Sequence, residues 1–105
     1  MKENIFDLIP DKLPEELTNV IHSADHVRIE RIVSQGHTSP EDAWYDQDED
    51  EWVILIDGFA GITFEDTSEI LLNKGDYLFI PAHKKHKVTF TTHKRKSVWL
   101  AIFIK

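Results

Sequence analysis

The chain reads as an all-β protein, an antiparallel barrel or jelly roll with one short helix at its start. Three observations carry this. Short runs rich in β-branched and aromatic residues recur at roughly even spacing along residues 27–104. Turn signals separate them: Asp57-Gly58, Glu65-Asp66, Asn73-Lys74-Gly75-Asp76 and Thr92-His93-Lys94. Helical periodicity is confined to a single early stretch.

That stretch is "LPEELTNVIHS", where Pro14 and two glutamates precede apolar residues at Leu17, Val20 and Ile21. Acidic groups at the positive end of a helix are favourable, so a short N-terminal helix is expected within residues 1–26. Strands are expected at Val27–Val33, Trp52–Ile56, Gly61–Phe64, Glu69–Leu72, Tyr77–Ile80, Lys87–Thr91 and Val98–Ile104. With 105 residues and no linker, residues 27–105 form the barrel of a single domain, 1–105. "WVILI" and "VWLAIFI" are apolar on both parities, so each strand needs cover on both faces. A homodimer is expected to supply part of that cover.

Composition excludes several function classes. Hydrophobic residues make up 41% and charged residues 30%, as in ordinary globular domains. No apolar run is long enough to span a bilayer, and the start "MKENIFDLIPDK" lacks a signal-peptide core, so no membrane partner is expected. A formal net charge of −7 disfavours nucleic acid. The clusters Lys84, Lys85, Lys87 and Lys94, Arg95, Lys96 then read as solvated turn charge. The absence of cysteine rules out disulfides and thiolate metal sites, and fits a cytoplasmic location. No glycine-rich phosphate loop points to a nucleotide cofactor, and no serine or cysteine nucleophile sits near a base.

The chemistry-bearing residues fall in two segments. "GDYLFIPAHKKH" places His83 and His86 just past an apolar run that ends at Pro81. In the other, Glu51 shares strand parity with Val53 and Leu55, which puts a carboxylate at the mouth of an apolar interior. A buried carboxylate needs a partner, and His83, His86 or a shared ion would serve. Two imidazoles with one or two carboxylates suit Fe, Mn, Ni, Co or Zn, with Asp46 or Gln47 adding an oxygen. The run "DQDEDE" alternates acids as a calcium loop does, but Glu51 stands where that loop needs glycine and Asp57 where it needs glutamate. Most of these acids read as solvated loop. Trp44 and Tyr45 are candidate walls of a ligand pocket, and Trp52, of opposite parity to Glu51, is expected outside. His37 sits in the turn signal "SQGHTSP", and His22, His26 and His93 lack supporting neighbours; all four are expected at the surface.

These segments resemble the cupins, the double-stranded β-helix superfamily. Glu51, "WVILID" and Gly58 match the end of that family's first motif. Gly75, "DYLFI", Pro81, Ala82 and His86 match its second. A narrower resemblance is to small cupins with "SP", "WYDQ", "EW" and "PAHxxH" segments, here at Ser39-Pro40, Trp44–Gln47, Glu51-Trp52 and Pro81–His86. The resemblance implies a barrel with a pocket at its mouth and carries Glu51 and His86 over as ligands. The family's first motif opens on a histidine pair, where this chain has Trp44 and Asp46, or Tyr45 and Gln47. His83 replaces the glycine of the second motif and Phe90 its closing asparagine.

Three functions follow as expectations. One is a metal-dependent enzyme acting on a small polar molecule, with Glu51 or Tyr45 moving protons and a divalent ion held by donors among His86, His83, Glu51, Asp46 and Gln47. The second is a ligand-binding or sensor domain without catalytic metal. The third is a structural dimer whose histidines have no chemical role.

Overall fold

The computed structural model describes residues 2–105, which form eight strands. They are β1 (Leu17–Ala24), β2 (Val27–Ser34), β3 (Asp50–Asp57), β4 (Ala60–Phe64), β5 (Glu69–Leu72), β6 (Tyr77–Ile80), β7 (His86–Thr91) and β8 (Ser97–Ile104). A five-stranded sheet runs β1-β2-β8-β3-β6, and a three-stranded sheet runs β5-β4-β7. Every pairing is antiparallel.

The expected N-terminal helix is absent among the described residues. Leu17–Ala24 is instead the edge strand β1, paired with β2, so the sheet begins ahead of residue 27. The reason lies in a register shift between Val20 and His22. A bulge there inserts one residue, and the two-residue alternation on either side then mimics helical spacing of Leu17, Val20 and Ile21. Thr18, Val20 and Ile21 are β-branched, which favours the pleated strand once a partner is available.

The core lies between the two sheets. Val53 and Leu55 of β3, Ala60, Ile62 and Phe64 of β4, Leu72, Ile80, and Trp99, Ala101 and Phe103 of β8 pack into one buried cluster. Burying each large aliphatic side chain among these contributes about 2 kcal/mol. Alternation on β3 follows the expected parity: Glu51, Val53 and Leu55 are buried, while Trp52, Ile54 and Ile56 are only partly so. Trp52 packs beside Tyr77 on the outer face, with ring centroids 5.4 Å apart.

Two glycines explain motif positions. Gly58 (φ +101°) closes the β3–β4 turn so tightly that a Cβ there would lie 2.5 Å from Cα of Ser97. Gly75 (φ +90°) turns the chain into β6 through open space, so only its backbone angle calls for glycine. His83 also has positive φ, +64°, a backbone conformation that favours glycine over a residue with a Cβ.

The basic clusters are tied to carboxylates and carbonyls at the surface. Lys84 pairs with Asp66, Lys85 with Glu65 and Arg95 with Asp57, while Lys87 and Lys96 donate to the carbonyls of Glu41 and Asp11. Among the described residues no helix is long and apolar enough to cross a membrane.

Candidate functional site

The two motif segments meet. Tyr45 N–H donates to the His86 carbonyl at 2.7 Å, and His86 N–H returns a bond to the Tyr45 carbonyl at 3.2 Å. One step along, His83 N–H donates to the carbonyl of Gln47, and Ala82 N–H donates to the Asp50 carboxylate. Residues 45–50 are thereby clamped to residues 82–86. His86 opens β7 opposite Phe64 of β4, and Glu51 enters β3 opposite Ile80 of β6. Both side chains therefore face the space between the sheets.

Glu51 is 7% exposed and His86 4%. Nε2 of His86 stands 3.7 Å from Oε1 of Glu51, an ion-pair distance slightly longer than a hydrogen bond. Nδ1 of His86 lies 2.9 Å from the carbonyl of Lys84, so this nitrogen carries the proton and Nε2 faces inward. The Gln47 amide donates to Oε1 of Glu51 at 2.9 Å. Burial alone would lower the His86 pKa; the neighbouring Glu51 carboxylate and the Lys84 carbonyl outweigh it and hold the imidazole above its ordinary 6.5. Among the described residues Oε2 of Glu51 has no hydrogen-bond partner. Since no fully buried side-chain oxygen among the described residues goes unpaired, that atom is reached from the cavity above it.

The cavity measures about 450 Å³. Its walls are apolar, with Ile32, Val53, Ile62, Ile80, Val88, Trp99 and Phe103 arriving from six different strands. Its polar groups converge from loops and strand ends: Tyr45, Gln47, Glu51 and His86 from the motif segments, His37, Thr38 and Ser39 from the β2–β3 loop, and Glu15 and Glu16 from the chain ahead of β1. A cleft of this size with few convergent polar groups suits a small ligand.

The structure sorts the candidate residues. Tyr45 and Gln47, on the parity of Glu51, line the cavity. Asp46 points away and pairs with His83 at 2.8 Å, both side chains well exposed. Trp44, expected in the cavity wall, does not line it.

 Trp44 lies instead on the outside, its ring 4.3 Å beneath the ammonium of Lys87. The five expected metal donors thus fall into two separate groups, His86, Glu51 and Gln47 inside and His83 with Asp46 outside. Among the described residues no group of three or more His, Cys, Asp or Glu side chains is arranged to hold an ion. Catalytic zinc and non-haem iron sites use three or more such donors, and only His86 and Glu51 meet at this floor, so the residues present do not fit the expected ion. The other acids disperse as loop charge: Asp48 pairs with Lys105 and Glu49 with Arg28.

His37, expected at the surface, is half-buried in the cavity wall and fixed there by the Gln35 N–H, which donates to its Nδ1 at 2.9 Å. Its loop is held across β7 by Ser39, whose N–H donates to the Val88 carbonyl and whose hydroxyl accepts from Val88 N–H. Glu15 and Glu16, which resembled helix-capping acids, stand at the cavity rim because the chain there enters an edge strand. His22, His26 and His93 are exposed, as expected.

Comparison with known proteins agrees with this architecture. A family profile described as the cupin domain matches residues 30–103. A Ralstonia eutropha JMP134 structure described as a candidate mannose-6-phosphate isomerase is 38% identical, with a TM-score of 0.96, covering 100% of this chain and 98% of that one. A cupin superfamily protein from Desulfitobacterium hafniense DCB-2 is 25% identical, with a TM-score of 0.75 over 91% of this chain and 83% of that one. A cupin family protein of Methanocaldococcus jannaschii with a double-stranded β-helix fold is 18% identical, with a TM-score of 0.73 over 99% of this chain and 92% of that one. Comparison with curated proteins gives no match. With seven of its eight strands inside the matched profile, wholly or in large part, this chain belongs to the cupin family.

Proposed function

We propose that the cavity binds a small polar molecule, with His86 and Glu51 as the groups that contact it. The observation that supports this is the pair of cavity-facing atoms at the floor, Nε2 of His86 and Oε2 of Glu51, neither with a protein hydrogen bond among the described residues, beneath a cavity of about 450 Å³. Buried polar atoms are normally satisfied by the protein itself, and atoms left open toward a cavity await a ligand or water. A divalent ion is not part of this reading, because no third acidic or imidazole side chain among the described residues is arranged with His86 and Glu51 to hold one.

A second reading, proton transfer on the bound molecule, is favoured by the pairing of an imidazole of raised pKa with a carboxylate. Such a pair can take a proton at Nε2, and the Glu51 carboxylate stabilises the imidazolium that forms until the proton is returned to the bound molecule. The 38% identical relative is described as an isomerase, which suits acid–base chemistry.

We also propose that the outer face of the five-stranded sheet meets a second copy of the chain. Trp52, Ile54, Tyr77, Phe79, Leu100 and Ile102 share that face through the β3–β6 and β3–β8 registers. None of these six carries charge, so two chains of net charge −7 can meet there without opposing like charges.

The site is tested by a ligand screen on tag-free protein read by chemical shifts of Trp99 and Ile62, repeated with His86→Gln and Glu51→Gln. Ligands that shift these signals in the parent and bind at least about tenfold more weakly to both variants support the reading. Hits that ignore both substitutions would move the site elsewhere.

A further inference from the structure

The cavity's charge is one-sided. Glu15, Glu16, Glu30 and Glu51 line it, and no lysine or arginine does. Arg28, whose guanidinium lies 4.4 Å over the ring of the wall residue Phe103, is engaged by Glu30 at 2.6 Å and by Glu49 at 2.9 and 3.1 Å. Protonation of both cavity histidines, His37 and His86, would still leave carboxylates in excess. The free hydrogen-bonding atoms point the same way. Oε2 of Glu51 can only accept while the acid is ionised, and Nε2 of neutral His86 accepts because Nδ1 donates to Lys84. An acidic cluster alone could be a solvated rim; here it borders a cleft whose floor holds a carboxylate that is 7% exposed, with Oε2 making no hydrogen bond among the described residues.

From this we infer that the cavity selects small cations, such as amines carrying an ammonium group, and rejects phosphorylated or carboxylated molecules. The inference rests on the proposed ligand site and adds its specificity. An ammonium supplies three donors and a positive charge to a floor of acceptors. A phosphate supplies acceptors only and meets like charge in a cleft with apolar walls, where repulsion is stronger than in open water. The substrate in the name of the Ralstonia relative carries a phosphate, and this cavity offers no cationic side chain to receive one.

Two nitroxide probes of equal size, aminomethyl-PROXYL and carboxy-PROXYL, test the charge preference on the full chain at low salt. The readout is paramagnetic relaxation of the Trp99 indole and the Ile62 and Val88 methyl groups, normalised to the exposed Leu71 methyls on the far sheet. The normalised effect of the cationic probe should exceed that of the anionic one by about fivefold. Glu15→Gln with Glu16→Gln, both at the rim, should cut that ratio by at least about half. Equal or stronger relaxation by the anionic probe would overturn the charge preference while leaving the ligand site standing. Relaxation by neither probe would mean that the cavity is closed to molecules of this size, and both readings would fall together.

Discussion

Nε2 of His86 faces Oε1 of Glu51 across 3.7 Å in the interior, and this pair couples the protein's stability to pH. Burial pulls the imidazole pKa down, but Glu51 and the Lys84 carbonyl raise it above 6.5. A folded-state pKa above the unfolded value means that the native state binds the proton more tightly. The associated stability is present in full below pH 6.5 and is lost as pH rises through the folded pKa. Denaturation midpoints should therefore fall across that window, and His86→Gln should flatten the slope. An NMR titration placing the His86 pKa at or below 6.5 would refute this coupling.

Gly58 and Gly75 both have positive φ, yet their substitutions should differ. At Gly58 a Cβ meets Cα of Ser97 at 2.5 Å, backbone that cannot swing aside. Gly58→Ala is expected to cost about 3 kcal/mol or more, from clash and backbone strain together. Gly75 has no atom within 4 Å of its built Cβ. Gly75→Ala should cost only about 1–2 kcal/mol, the left-handed backbone penalty alone. Urea unfolding of the two variants checks the order, and equal losses would contradict it.

His83 offers the reverse experiment. Its φ of +64° strains a residue with a Cβ, and its ring makes only an exposed contact with Asp46. Exposed ion pairs contribute about 0–1 kcal/mol. His83→Gly removes about 1–2 kcal/mol of backbone strain and adds about 0.5–1 kcal/mol of unfolded-state entropy. The variant should be as stable as the parent or more so by up to about 1 kcal/mol, with cavity binding unchanged. Loss of ligand binding in His83→Gly would place this ring in the site after all.

Why some of this was legible in the sequence and some was not comes down to which signals are local. Strand alternation is local, so β5 and β6 fall at Glu69–Leu72 and Tyr77–Ile80, as the runs of apolar residues indicate. Parity from Val53 and Leu55 likewise puts Glu51 inside. Extending the same odd parity back through Gln47 to Tyr45 would have separated these two from Trp44 and Asp46. The bulge after Val20 hid β1, because one inserted residue erases the alternation on which a strand assignment depends. His37 reaches the cavity through a loop fastened to Val88 of β7, 51 positions further along the chain. No neighbour of His37 in sequence carries that information.

The outer face of the five-stranded sheet yields the last prediction. Tyr77 is 63% exposed and Phe79 55%, beside the partly buried Trp52 and Ile54. Contiguous apolar surface of this kind is uncommon on monomers and marks association. The opposite inner face already carries the core, so a charge placed at Phe79 should spare the fold while disfavouring the pairing of two copies. Sedimentation analysis should show a dimer for the parent chain and a monomer for Phe79→Glu, with circular dichroism unchanged. Two-fold symmetry doubles the effect, since each substitution places a buried carboxylate on both sides of the interface. A parent chain that sediments as a monomer at high micromolar concentration would leave this face to some other partner, and the proposed pairing would be wrong.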